Sequence, residues 1–363
     1  MYEHFFNSFG LRENPFHVSP DPRFYFPTRA QESALTEILF GIETRQGLMV
    51  LTGEAGTGKT TLLNRFLDWL QRRGRSSAYV FHALLEPLEL LQFILRDFGV
   101  SCTSNHKGDV VDALYSWLRA RYAAGDLPVL ILDEAQALPK ETLDELRLLL
   151  NLETPRGKLL QIILSGQPEL DEKLRLPALR QLRQRIMFHS RILLFTQEET
   201  AAYIARRLAT AGRADSSLFP PEVVDAIYAY SRGIPRVVNL LSEHALISAY
   251  AEQQRIISPE MIRRIAMDFD LLAEPLAVKD PQEQPHFEPL VPFPGVGISE
   301  PFAASQRAVK LDPVPVVSRP APVESSQPAA STVSALQRVD YWRSVSNSFV
   351  HDCRRFFRAL TMP

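Results

Sequence analysis

Along the first 272 positions two apolar patterns take turns. Short unbroken apolar runs occur at Leu48–Thr52, Ala78–His82, Pro128–Asp133 and Leu159–Ser165. Between them, in 59–73, 88–98, 110–124 and 141–152, apolar residues recur every three or four positions, which is the spacing of one helix face. Continuous apolar strands separated by helices predict a parallel sheet covered on both faces. From Gln197 the strand runs stop, and four helical patterns follow at 197–211, 221–231, 235–252 and 259–268. Thr196 and Ser258 are N-cap residues for two of these, and Gly212 is placed to stop the first. The expected fold class is α/β, with a parallel sheet followed by a small all-helical domain.

The pattern breaks near residue 273. Ala273–Ala330 holds 12 of the 27 prolines, in a background of Gln, Ser and Val. Such a segment cannot bury enough apolar surface to fold, so a disordered, extended linker is expected. Beyond it Leu336, Val339, Trp342, Val345, Phe349, Cys353, Phe356 and Leu360 recur at helical spacing. Arg338, Arg343, Arg354, Arg355 and Arg358 outnumber the nearby Asp340 and Asp352. The expected organisation is a leading segment at 1–47, an α/β domain at 48–195 and a helical domain at 196–272. A Pro-rich linker at 273–335 and an amphipathic helix at 336–363 complete it.

Composition narrows the classes. Forty basic against 42 acidic residues leave a net charge of −2 over 363 residues, so no global field draws the chain to nucleic acid or an anionic surface. Residues 171–213 are the local exception, with nine Lys/Arg against four Asp/Glu. Cys102 and Cys353 lie too far apart in sequence for a paired metal motif or a disulfide scaffold, which fits a reducing compartment. No apolar run approaches the ~20 residues of a membrane span. The start, MYEHFFNSFGLRENPF, has no basic stretch followed by an apolar one, so no signal peptide is expected. A cytoplasmic location follows.

The chemistry begins at the end of the first strand. Gly53-Glu54-Ala55-Gly56-Thr57-Gly58-Lys59-Thr60 matches the phosphate-binding pattern G-x-x-x-x-G-K-S/T in full, with Thr61 next in the helix. Phosphate oxygens need many donors at close range. Glycines let the backbone curl so that N–H groups point inward, and the following helix adds its positive end. Lys59 would reach the β- and γ-phosphates and the Thr60 hydroxyl would ligate Mg²⁺. Val129-Leu-Ile-Leu-Asp133-Glu134 buries a strand and sets two carboxylates at its C-terminal end, where open sheets bind ligands. Asp133 would hold the Mg²⁺ shell, and Glu134 would orient and deprotonate an attacking water. Ser165 ends the fourth strand and Gln167 follows. Either could touch the γ-phosphate or the water, and the sequence does not choose between them. Arg180, Arg183 and Arg185 read in part as a solvated basic face. Arg236, in Gly233-Ile-Pro235-Arg236, stands near a helix N-terminus, where a cation is unfavourable unless an anion compensates; a nucleotide phosphate would.

These motifs, in this order, resemble AAA+ ATPases. With Pro15-Phe-His-Val-Ser-Pro-Asp-Pro-Arg-Phe-Tyr-Phe, Leu132-Asp-Glu-Ala-Gln136, Asn151-Leu-Glu-Thr154, Gly166-Gln-Pro-Glu-Leu170 and Leu182-Arg-Gln-Arg185-Ile, residues 1–270 are similar to the ExeA-type ATPases. That group includes the general secretion pathway protein A type and the ATPases accompanying exosortase and exopolysaccharide loci. The resemblance implies an AAA+ type sheet with a helical lid. It also implies ATP and Mg²⁺ at Gly53–Thr60, Asp133 and Glu134, a trans-acting finger at Arg185 with Arg183 as the reserve, and a lid arginine at Arg236. The function it implies is ATP hydrolysis that drives or regulates secretion, pilus or exopolysaccharide assembly, by a homo-oligomer. Related ATPases serve transposition, so an ATP-dependent DNA-binding regulator of a transposase-like partner is the alternative. Secretion-type members usually add a membrane span and a peptidoglycan-binding domain. This chain carries neither, so direct cell-wall contact is not expected. The basic amphipathic helix at 336–363 suits an envelope assembly partner or a peripheral contact at the inner membrane.

Overall fold

The computed structural model of the chain describes residues 2–17, 21–81, 85–215 and 217–271. The linker and terminal helix expected at 273–335 and 336–363 lie outside the described residues. In chain order the elements are α1 (Tyr2–Ser8), α2 (Arg29–Glu43), β1 (Leu48–Gly53), α3 (Lys59–Arg72), β2 (Ser77–Val80), α4 (Pro87–Asp97), α5 (Lys107–Ala123), β3 (Val129–Leu132) and α6 (Lys140–Leu149). They continue with β4 (Glu153–Thr154), β5 (Gly157–Lys158), β6 (Gln161–Gly166), α7 (Glu169–Leu174), α8 (Arg180–Arg183), β7 (Ile186–Ile192), α9 (Gln197–Thr210), α10 (Pro221–Ser231), α11 (Pro235–Ala251) and α12 (Pro259–Asp268).

Five strands form a parallel sheet in the order β2-β3-β6-β1-β7. Every residue of β1, β3 and β6 is buried, which is why these strands read as unbroken apolar runs. β4 and β5 pair only with each other, as a short antiparallel hairpin. The four anticipated strands are present, and β7 is a fifth that the apolar pattern did not announce. It is an edge strand, paired only with β1, and its burial alternates instead of running continuously. α2 covers one of its faces, with the Phe40 and Phe188 rings 5.9 Å apart. One covered face does not require a continuous apolar run.

Two apolar cores result. The first lies between the sheet and α4, α5 and α6, built from residues such as Leu90, Leu114, Leu130, Leu146 and Ile162. The second fills the helical region from α9 to α12, and it includes Phe6, Phe9, Leu11, Phe16 and Phe24 from the N-terminal segment. Each such side chain, fully buried, contributes about 1.5–3 kcal/mol relative to exposure. The stretch before α2 is therefore anchored to the helical region. The caps fall where the residue types place them. Thr196 Oγ1 accepts from the Glu199 N–H at 3.1 Å and Ser258 Oγ from the Met261 N–H at 3.3 Å. Gly212, at φ +109°, follows the end of α9.

Candidate nucleotide site

β1 sits inside the sheet, and the chain leaves its C-terminal end through residues 54–58 into α3. Gly56 and Gly58 have φ of +80° and +92°, conformations that strain any residue with a Cβ. Gly53 is required for a different reason: a Cβ there would lie 2.9 Å from the Ile192 carbonyl of the adjacent strand. Thr57 Oγ1 closes the loop by donating to Glu54 O at 2.8 Å. Lys59, almost wholly buried, donates from Nζ to Gly53 O at 2.7 Å and Glu54 O at 3.0 Å. Burial pulls its pKa down from the ordinary lysine value, while the carboxylates of Glu134, Asp133 and Glu54 oppose that shift. The ammonium is thus held at the loop by two carbonyls, without a direct ion pair among the described residues.

β3 brings the two carboxylates to the same end of the sheet. Asp133 is buried, and its Oδ2 accepts from Thr60 Oγ1 at 3.0 Å and from Tyr79 Oη at 2.8 Å. Its Oδ1 accepts from the Glu134 N–H at 3.1 Å. Burial and the neighbouring Asp133 charge push the Tyr79 hydroxyl well above the ordinary tyrosine pKa, so it remains a donor. A hydroxyl and a carboxylate oxygen this close form the hard-oxygen pair that a Mg²⁺ shared with phosphates uses. Tyr79 has no place in the motifs, and only the β2–β3 pairing, Tyr79 opposite Ile131, carries it to Asp133.

Glu134 adopts φ +52°, ψ +36°, a left-handed conformation rare for a non-glycine residue. Its Oε2 accepts from Gln136 Nε2 at 2.6 Å and from Gln167 Nε2 at 3.3 Å. Of the two candidates at the end of β6, Gln167 lines the site together with Glu134. Ser165 lies buried within the sheet opposite Leu51, its hydroxyl unpartnered, and it does not line the cavity. Arg236 closes the loop from the lid side. Its N–H donates to Gly56 O at 3.3 Å, and its Cβ packs where a Cβ on Gly56 would come within 2.8 Å. Arg185, half-buried after α8, is absent from the cavity lining.

Loop, Glu134 and lid border a cavity of about 440 Å³. Ala55 to Thr61 line it on one side, with Glu134 and Gln167. The rest of the lining does not belong to the glycine-loop or carboxylate motifs. Phe24, Tyr25, Phe26 and Gln31 reach it from the N-terminal segment, and Tyr203 and Arg207 from α9. Gln31 Nε2 donates to Thr57 O at 3.3 Å. Arg207, buried, donates to Pro15 O at 2.5 Å and stands over the rings of Phe24 and Tyr203 at 5.2 and 5.1 Å. Burial lowers its pKa, and the nearby Tyr203 opposes the shift. The aromatic-rich stretch Asp21–Phe26 was the available signal, but only folding places it beside the glycine loop.

A glycine loop, paired carboxylates on the next strand but one and a helical lid on the same cavity describe a nucleotide-binding P-loop protein. Residues 42–174 match the AAA domain family, so the core is an AAA domain with the AAA+ fold expected from the motifs. Among known proteins the chain is similar to general secretion pathway protein A of Aeromonas hydrophila, 38% identical over 252 residues. The match takes in 69% of this chain and 45% of that protein, so the chain spans about half the length of this relative. The fold is shared with Cdc6p of Pyrobaculum aerophilum, at a TM-score of 0.54 and 19% identity over 70% of each chain. It is also shared with the ORC2 protein of Aeropyrum pernix, at 0.52 and 18% over 70% of this chain and 71% of that one. At these identities the likeness is one of fold.

Proposed function

We propose that the protein hydrolyses ATP with Mg²⁺ as an AAA+ motor or switch serving an envelope process: secretion, pilus or exopolysaccharide assembly. The observation that carries the ATPase reading is the convergence of Lys59, Thr60 and Glu134 at one cavity, with Asp133 just behind it in direct contact with Thr60. Lys59 presents its charge to the β- and γ-phosphates in exchange for two loop carbonyls. Thr60 and Asp133 hold Mg²⁺, which when bound offsets the phosphate charge. Glu134 takes a proton from the attacking water, and Gln167 orients the water or the γ-phosphate. Arg236 supplies a lid cation. Arg185, away from its own cavity, acts on that of a neighbouring subunit in a homo-oligomer, with Arg183 the reserve. The envelope role is supported by the 38% identity with general secretion pathway protein A. The segment at 336–363, whose apolar spacing predicts a helix, is the proposed contact to the assembly, peripheral at the inner membrane.

Two variants test the chemistry. Lys59→Ala loses ATP binding or hydrolysis, whereas Glu134→Gln binds ATP and stalls. Equal turnover by wild type and Glu134→Gln refutes the assignment of Glu134. A second reading, an ATP-dependent DNA-binding regulator, draws support from the exposed Arg175, Arg180 and Arg183. DNA binding that weakens steeply with salt would favour it.

A further inference from the structure

Gln136 lies two residues beyond the paired carboxylates, in the turn that follows β3. Its side chain makes two contacts that together define its orientation. Oε1 accepts from the backbone N–H of Gln167 at 3.1 Å, a group that can only donate. The amide must therefore present Nε2 to Glu134, and it does so at 2.6 Å. The amide is also packed flush against the end of β6, since a Cβ on Gly166 would come within 2.7 Å of Oε1. The backbone of the same turn is clamped from α7: Lys173 Nζ donates to Gln136 O at 2.8 Å and to Leu138 O. Both amides that reach Glu134 bond Oε2, which leaves the second carboxylate oxygen for water.

We propose that Gln136 is a positioning residue for Glu134, its amide bridging the Glu134 carboxylate and the Gln167 N–H so that the carboxylate keeps one orientation at the cavity. The inference rests on the ATPase reading above. A Glu134 backbone in the left-handed region does not by itself aim the side chain, and Gln167 alone offers a longer bond. The bridge ties the carboxylate to the end of β6, the strand that also carries Gln167 into the cavity. Misplacing a reacting group by about 1 Å can cost on the order of 10²-fold in rate, whereas nucleotide binding depends on the loop and Lys59, which Gln136 does not touch.

The test uses the full chain and compares Gln136→Leu and Gln136→Glu with wild type. Steady-state ATP turnover and the affinity for a non-hydrolysable ATP analogue are measured, with melting temperature as the check on folding. Both variants are expected to lose at least tenfold in kcat, with analogue affinity within threefold of wild type. Gln136→Glu keeps the shape but turns the donor toward Glu134 into an acceptor, so a residue that merely fills space would tolerate it. In a Glu134→Gln background, Gln136→Leu is expected to add no further loss. Wild-type kcat in Gln136→Glu, or a loss that adds in full to that of Glu134→Gln, overturns the proposal. Absence of ATP turnover in the wild-type chain would instead refute the ATPase reading.

Discussion

Gly56→Ala tests how tightly the lid is seated on the phosphate loop. At φ +80° an alanine pays about 1–2 kcal/mol for the left-handed backbone. Its Cβ would also come within 2.8 Å of Arg236 Cβ and 3.2 Å of Ile234 Cγ2. Relieving that overlap moves the start of α11 outward, at an overpacking cost of about 1–3 kcal/mol. Gly58→Ala is the matched control. Its φ of +92° carries the same backbone strain, but the new Cβ meets only Gln31 Nε2, at 3.4 Å. Gly56→Ala should therefore melt below Gly58→Ala, at about 2–4 °C per kcal/mol of difference. Calorimetric titration should show ATP affinity reduced at least ~30-fold, the equivalent of ~2 kcal/mol. The second-site change Arg236→Gly removes the opposing Cβ and should recover part of the melting temperature. Equal melting of the two alanine variants, with no recovery from Arg236→Gly, would refute the close seating of lid on loop.

Other expectations follow from the same geometry. Tyr79→Phe removes one of the two hydroxyl donors to Asp133 Oδ2, so the Mg²⁺ concentration for half-maximal ATPase should shift several-fold while analogue binding without metal stays unchanged. Arg185→Ala and Lys59→Ala subunits are each expected to be inactive alone and to regain partial activity when mixed; no recovery at any ratio argues against trans action. Burial pushes Asp171 upward, but the hydrogen bonds and charges of His189 and Arg191 outweigh it and hold its carboxyl below the usual aspartate range. A lowered folded-state pKa contributes stability that is present above the unfolded value and is lost as pH falls through the folded one. Asp171→Asn should then lower the melting temperature at pH 7, and the gap should close below about pH 4 as the wild-type carboxyl protonates. Deleting 331–363 should leave basal ATPase intact and reduce membrane-fraction recovery; unchanged fractionation with a less stable ATPase would mean that the tail packs on its own core.

The residues that carry chemistry by local pattern were legible in the chain itself. Gly53 to Thr60 need only a strand before and a helix after, and Asp133-Glu134 need only a buried strand to end there. Both conditions are visible as apolar periodicity, because β1, β3 and β6 are buried on both faces and leave no alternation to confuse the reading. The caps at Thr196 and Ser258 are equally local. Partners set by long-range pairing were not legible. Tyr79 meets Asp133 across 54 residues through the β2–β3 register, and Gln136 meets the Gln167 N–H across 31. The choice between Ser165 and Gln167 as a cavity residue is of the same kind: strand geometry buries the first within the sheet, and the turn after β6 releases the second into the cavity. The aromatic wall drawn from residues 24–26 and α9 exists because the N-terminal phenylalanines share the helical region's core. Hydrophobic burial is non-directional and marks which residues go inside, but only the assembled backbone determines which of them meet.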